Sequence, residues 1–191
     1  MALVEKEVDY PEGEDRDLIL PSKAVSELTR MLDGDGDVRI FPKQNQAVFS
    51  WDGKELATKL IDGHYPDFAQ VIPRQCEERV VIDRDAFLAA IKRVATVTME
   101  RDAPLRFTFT ANQLTISTNS GGEGEGRDTL QVKYLGNEIT IIFNPEYVME
   151  PLRVMEDDDI VFEMTDGQCP AVIKCSIPFL YVLMPLRNSQ G

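Results

Sequence analysis

The stretch Val80-Val81-Ile82-Asp83-Arg84-Asp85-Ala86-Phe87-Leu88-Ala89-Ala90-Ile91-Lys92-Arg93-Val94 decides the fold. A short apolar run ends at Asp83, a helix-start residue whose carboxylate can accept from the free amides of a first helical turn. Beyond it Phe87, Ala90, Ile91 and Val94 recur at i, i+3, i+4 and i+7, one face of a helix. The stretch is a strand running directly into an amphipathic helix.

It occurs twice more. Upstream, Leu18-Ile19-Leu20-Pro21-Ser22-Lys23-Ala24-Val25 leads to Leu28, Arg30 and Leu32. Downstream, Ile141-Ile142-Phe143-Asn144-Pro145-Glu146-Tyr147-Val148 leads to Leu152, Arg153 and Met155. Leu20, Ile82 and Phe143 are spaced by 62 and 61 residues. A period this long makes each repeat a whole supersecondary unit. A basic residue recurs in register as Arg30, Lys92 and Arg153. At ~100° per residue each lies about 140° from its anchor (Val25, Phe87 or Val148), on the face away from the core.

Between these stretches the chain alternates. After Leu3 to Val8, a short strand, and the charged connection Tyr10 to Arg16, a helix is expected over Ser22 to Leu32, ended by Asp33-Gly34-Asp35-Gly36. That acidic run lacks the further ligands of a calcium loop and reads as a turn. Strands follow at Val38 to Phe41, Ala47 to Trp51 and Glu55 to Ile61, with Asp52-Gly53 as a tight turn. Asp62 to Pro73 reads as a linker. The second repeat gives a strand at Arg79 to Ile82, a helix over Arg84 to Thr98, a cleanly alternating hairpin over Leu105 to Ser117 and a strand at Thr129 to Tyr134. The glycine-rich run Gly121 to Gly126 is acidic, lacks the Lys-Ser/Thr of a phosphate loop, and reads as a flexible connection. The third repeat gives a strand at Glu138 to Phe143, a helix over Pro145 to Met155, a hairpin over Ile160 to Cys175 and a last strand at Phe179 to Met184. Pro151 inside that helix predicts a kinked or short element. The chain is therefore an α+β protein of about three β-α-β-β-β units.

Composition narrows the function. With 43% hydrophobic and 28% charged residues the chain is an ordinary globular protein, and a net charge of −13 argues against a generic basic nucleic-acid binder. Cys76, Cys169 and Cys175 lack paired CxxC spacing and read as free thiols. His64, the single histidine, excludes Ser–His, Cys–His and multi-histidine metal chemistry. No catalytic constellation, metal site or cofactor is expected. No apolar run approaches the roughly 20 residues of a membrane span, and Met1 leads into acidic sequence, so a cytoplasmic location off the membrane is expected.

Particular words of the sequence resemble the bacterial DNA polymerase sliding clamp (DNA polymerase III beta subunit), the processivity ring of the replicase. They are Leu20-Pro21-Ser22-Lys23, Lys59-Leu60-Ile61-Asp62-Gly63, Tyr65-Pro66-Asp67-Phe68, Val71-Ile72-Pro73, Phe143-Asn144 with Tyr147-Val148, and Val182-Leu183-Met184-Pro185-Leu186-Arg187. In that family each domain holds two units, three domains make a subunit, and two subunits close a ring around duplex DNA. The resemblance implies the DNA-clamp fold, with residues 1–69 as the second half of a middle domain and residues 70–191 as a complete last domain. A complete first domain and the first half of the middle one would precede them.

The family's client-peptide pocket then implies Pro66, Val71, Asn144, Tyr147, Val182, Met184, Pro185, Leu186 and Arg187. Such residues supply what a peptide groove needs: apolar walls, one amide and one exposed cation. Read without the family, Val182 and Met184 are plain strand core. The family's Thr-Asp-Gly-His-Arg segment, which supplies the other wall, is not in the sequence. Lys23, Arg30, Lys92 and Arg153 are the residues expected to face DNA. Glu27, Asp85, Glu146 and Glu150 share their helix faces, leaving local sums of about +1, 0 and −1, too small for tight phosphate binding.

The partners implied are DNA polymerase and other proteins with clamp-binding motifs, the clamp loader and non-specific double-stranded DNA. Two functions follow: a replicase processivity clamp, or a non-ring module that binds clients or intact clamp as a regulator or decoy. The half domain would leave Val25, Leu28, Leu32, Val48 and Trp51 partly wet, so a homo-oligomer is expected, either a dimer or a four-chain ring.

Overall fold

Three copies of one unit build the chain, and each closes with the same backbone bond. The computed structural model describes residues 1–4, 17–33, 36–98, 103–118, 126–176 and 178–187. The readings for 5–16, Gly34-Asp35, the acidic glycine run at 121–125 and the tail from Asn188 fall outside them. In chain order the elements are β1 (Ala2–Val4), α1 (Ser22–Met31), β2 (Arg39–Pro42), β3 (Gln46–Trp51), β4 (Lys54–Lys59), a 3-10 turn (Phe68–Gln70), β5 (Glu78–Asp83), α2 (Arg84–Thr96), β6 (Leu105–Thr110), β7 (Gln113–Thr118), β8 (Arg127–Gln131), β9 (Ile139–Phe143), α3 (Pro145–Val154), β10 (Asp159–Met164), β11 (Ala171–Lys174) and β12 (Phe179–Leu183). Two compact units result: Met1–Glu7 with Ala69–Gly191, and Val8–Phe68. Among the described residues no helix is long and apolar enough to cross a membrane.

The larger unit holds two repeats that exchange strands. Its sheets run β1-β12-β11-β10-β5 and β8-β7-β6-β9. The first strand of each repeat pairs with the second strand of the other: Ile82 stands opposite Ile160 and Val80 opposite Phe162, while Phe143 stands opposite Leu105 and Ile141 opposite Phe107. All eight side chains are buried in one core, with Phe87, Ala90, Ile91 and Val94 of α2 and Val148, Met149 and Leu152 of α3. Neighbouring phenylalanine rings in this core meet mostly edge to face, as with Phe107 and Phe143 at 5.7 Å.

Local signals set the helix starts. The Asp83 carboxylate accepts from Ala86 N at 2.7 Å, and Asn144 Oδ1 accepts from Glu146 N at 2.9 Å. As Pro151 predicts, α3 is short, with 10 residues against 13 in α2. In each repeat the segment after the last strand donates to the middle of the first: Ile61 N to Ile19 O at 2.9 Å, Lys133 N to Val81 O at 3.0 Å, and Leu186 N to Ile142 O at 2.8 Å.

The smaller unit is one repeat: α1 beside the sheet β2-β3-β4. Asp52 and Gly53 both take positive φ, 44° and 72°, as a type I′ turn requires. Three expectations need correction here. Leu18–Leu20, read as a strand like its two counterparts, is not in one: among the described residues no strand pairs with it. Trp51 is only 4% exposed; Leu28, Ala47 and Phe49 form its cluster, with Leu20, Met31, Leu56 and Leu60 packed around it. Leu28, expected to be partly wet with Val25 and Leu32, is buried beside Ala24, while Val25 and Leu32 are exposed as expected. Among the described residues the helix packs on its own sheet, through Leu28 and Met31.

Ala2–Val4 adds to the edge of the larger unit's sheet, Leu3 opposite Leu180, and so belongs with that unit rather than with residues 17–68. The strand expected at Thr129 to Tyr134 lies at Arg127–Gln131; Val132 and Tyr134 instead turn their side chains into the core.

Two buried phenols give this core an alkaline signature. Tyr134 donates to the Asn137 carbonyl at 2.5 Å, and burial, with Glu78 nearby, raises its pKa to about 12. Tyr181 donates to Glu150 Oε2 at 3.2 Å, and burial, with the Glu150 charge, again raises it to about 12. An unfolded tyrosine ionises near pH ~10. The unfolded chain therefore loses these protons first, and stability present below pH ~10 should fall as the pH climbs toward 12. Phenolate absorbance at 295 nm should show two late-titrating groups, one of them removed by Tyr134→Phe. Loss of neither would contradict the assignment.

Candidate functional site

The third closing bond builds a groove. β9 is an edge strand, and the chain after β12 lays Met184–Arg187 along it, held by the Leu186 N to Ile142 O bond. Strand alternation sends Phe107, Ile141 and Phe143 into the core, so Arg106, Thr140 and Ile142 stand on the opposite face. Arg106 lies opposite Ile142, and the Thr140 hydroxyl shares a 3.0 Å bond with Thr108. These residues, with Asp166–Gln168 and Met184–Arg187, line a cavity of about 860 Å³.

Its side chains are of three kinds. Met184, 62% exposed, and Leu186 offer apolar surface beside Ile142. Arg106 and Arg187 bring positive charge. The turn between β10 and β11 brings Asp166, whose Oδ1 accepts from Gln168 N and Cys169 N, both at 2.7 Å. Those amides hold the Asp166 carboxyl below its ordinary range, and its bond to the Cys169 thiol raises the latter. The carboxylate is thus engaged in shaping the turn. The arrangement suits an extended peptide with apolar side chains and a polar backbone.

Gly167 sets how closely this turn approaches β9. A Cβ there would strike the Thr140 carbonyl oxygen, a backbone atom with little freedom to retreat. Gly167→Ala should therefore displace the turn and cost roughly 1–3 kcal/mol in urea unfolding. An unchanged midpoint would show that the turn does not seal the groove's rim.

The residues singled out from sequence fall in different places. Met184, Pro185, Leu186 and Arg187 come together in the groove. Val182 is 4% exposed and pairs with Val172 within the sheet, as the strand-core reading has it, whereas Met184 does not follow that reading. Asn144 and Tyr147 stand at the start of α3, just beyond Ile142; Tyr147 is exposed, and Asn144 is committed to its cap. Val71 is exposed on the segment before β5. Pro66 belongs to the smaller unit, where it lines a separate cavity with Leu60, Ile61 and Tyr65.

Of the helix cations, Arg30 pairs with Glu27 at 2.5 Å and Arg153 with Glu146 at 3.1 Å. Lys23 and Lys92 are exposed, with no ion pair among the described residues. Arg106, Thr140, Ile142 and the Asp166 turn are groove residues that the sequence reading did not name. The alternation of Leu105 to Phe109 carried the signal for an outer polar face, but only the pairing of β6 with β9 shows what stands beside it.

Residues 69–187 match the family described as DNA polymerase III beta subunit, C-terminal domain, and residues 1–67 the DNA polymerase III beta subunit, central domain. The chain is 30% identical over 187 residues to the Beta sliding clamp of Chlamydia pneumoniae, covering 98% of this chain and 51% of that protein. Among solved structures it is similar to the DNA polymerase III subunit beta of Pseudomonas aeruginosa, with 28% identity, a TM-score of 0.91, and 98% and 52% of the two chains covered. A sliding clamp from Bartonella birtlesii bound to griselimycin gives 32% identity, a TM-score of 0.84, and coverage of 90% and 47%. The chain spans about half the length of the curated relatives it matches.

Proposed function

The chain belongs to the DNA polymerase III beta subunit family, the bacterial sliding clamps, and from that premise we propose that it binds client peptides in the groove built by Met184–Arg187. The observation that carries this reading is the exposure of Met184 and Leu186 beside Ile142, where a strand of core would have hidden them. Apolar side chains held open by a fixed backbone bond are pre-organised for a ligand. The partners on this reading are polymerases and other proteins with clamp-binding motifs, and the clamp loader. Val71, Asn144 and Tyr147 extend the pocket, with Val182 supporting it from within the sheet.

Anisotropy titration of a labelled clamp-binding peptide from a polymerase tests this, with griselimycin as competitor. Saturable binding that griselimycin displaces is expected. No saturation up to millimolar protein would overturn the reading.

Processivity through encirclement of duplex DNA belongs to this reading only for a four-chain ring, in which two dimers join end to end. Lys23, Arg30, Lys92 and Arg153 would then give weak, non-specific phosphate contacts, and topology would retain the DNA. The Arg30–Glu27 and Arg153–Glu146 pairs favour a second reading, a regulator or decoy that binds clients or intact clamp without closing a ring. Retention on circular DNA that is lost on linearisation supports the ring; no retention on either form supports the second reading.

A further inference from the structure

The outer face of the four-stranded sheet carries a row of positive charge that leads out of the groove. Strand alternation turns Leu105, Phe107, Leu114, Ile116 and Leu130 toward the core, so their neighbours along each strand point the other way. The ladders set those neighbours side by side. Ile142 stands opposite Arg106, Arg106 opposite Ser117, and Ser117 opposite Arg127. At the groove end of this row Leu186 lies beside Ile142, through its bond to the Ile142 carbonyl. The next row is Thr140, Thr108, Thr115 and Thr129, whose hydroxyls bond in pairs at 3.0 and 3.5 Å. Short side chains therefore border the arginine row along its length.

The charge of the row is not balanced from within it. The ladder partners of Arg106 and Arg127 are Ile142 and Ser117, neither of them charged. Asp128, next to Arg127, points to the opposite face, where it accepts from Arg93 Nε at 2.7 Å. Glu138 falls on the outer side by the same alternation, but beyond the threonines, two rows from Arg106. Arg127 itself is exposed. On a chain of net charge −13 this row is a local exception.

We propose that acidic residues of a client peptide bind along this row, continuing from the apolar anchor held by Met184 and Leu186. The inference rests on the peptide-binding reading and names its class of client: an apolar anchor with an acidic flank. Neighbouring strands lie about 4.8 Å apart, so Arg106 is about 10 Å and Arg127 about 19 Å from Leu186. An extended chain advances ~3.3 Å per residue, which puts the carboxylates about three and about six residues from the anchor. Ser117 and the bordering threonine hydroxyls can bond the backbone of the flank. Two cations are too few to hold a nucleic-acid backbone against an acidic protein, whereas an anchored peptide needs only weak further contacts.

Exposed charge pairs are weak, so each carboxylate should tighten binding about two- to fivefold, and less as salt is raised. Anisotropy titrations compare labelled peptides that share one apolar anchor: without a flank, with Asp at the two positions, and with Asn there. The flank is placed on each side of the anchor in turn. On one side Asp should bind about four- to twentyfold tighter than Asn at low salt. Arg127→Glu should remove most of that gain with circular dichroism unchanged, and Lys in place of the outer Asp should restore it. Equal affinities for Asp and Asn on both sides, or a gain that Arg127→Glu leaves intact, would overturn the proposal. The groove would still stand if the unflanked anchor binds through Met184; an anchor that never saturates would defeat both. Loss of the Asp gain to a competing short oligothymidylate would assign the row to nucleic acid, again against the proposal.

Discussion

Phe162→Ala should cost the larger unit about 3–5 kcal/mol, the range for removing a fully buried phenylalanine. Phe162 is 1% exposed and lies where the two repeats meet. It pairs across one ladder with Val80 and across the other with Ile173, and its ring sits 5.4 Å from Phe109 and 6.1 Å from Phe143. Both of those rings come from the other sheet, so truncation opens a cavity between layers that four strands hold in place. Urea unfolding followed by far-UV circular dichroism reads the loss. Trp51, the only tryptophan, reports on the smaller unit and separates its transition. A loss under about 1 kcal/mol would mean that the core relaxes into the space and that the packing described is not what holds the repeats together.

The second large effect is on binding. Met184→Ala should weaken a clamp-binding peptide roughly ten- to a hundredfold, since covering an apolar side chain of that size is worth about 1.5–3 kcal/mol and each factor of ten is ~1.4 kcal/mol. Stability should barely change, because Met184 is exposed in the free protein. Val182→Ala should do the reverse: its side chain is buried within the sheet, so it lowers stability and reaches the peptide only indirectly. Equal peptide affinity in wild type and Met184→Ala would remove this groove as the site.

Much of this was legible in the sequence because it is local. The helix start at Asp83, the Asp52–Gly53 turn, the short α3 and the stripe from Phe87 to Val94 each depend on neighbours within a few residues, and periodicity displays them directly. The repeat spacing placed the helices within two residues of their observed ends. What stayed hidden was pairing between distant segments. Nothing near Leu18 says that it leaves the strand its counterparts form, and nothing near Ala2 says that it adds to β12. The exposure of Val25 follows the expectation of a partly wet face, whereas the burial of Leu28 and Trp51 depends on how α1 meets its sheet. The groove was half legible for the same reason. The words Met184-Pro185-Leu186-Arg187 name one wall through resemblance, but Arg106, Thr140 and the Asp166 turn join them only once β6 pairs with β9.

On the reading proposed above, Met184 and the strand beside it receive the client peptide. Methionine methyl resonances report this contact, with the protein carrying ¹³C-labelled methionine methyls and the peptide added to saturation. Met184 should shift strongly and saturably, while Met149, Met155 and Met164, buried in the core, stay nearly still. A peptide that saturates the protein without moving the Met184 methyl would place its site elsewhere.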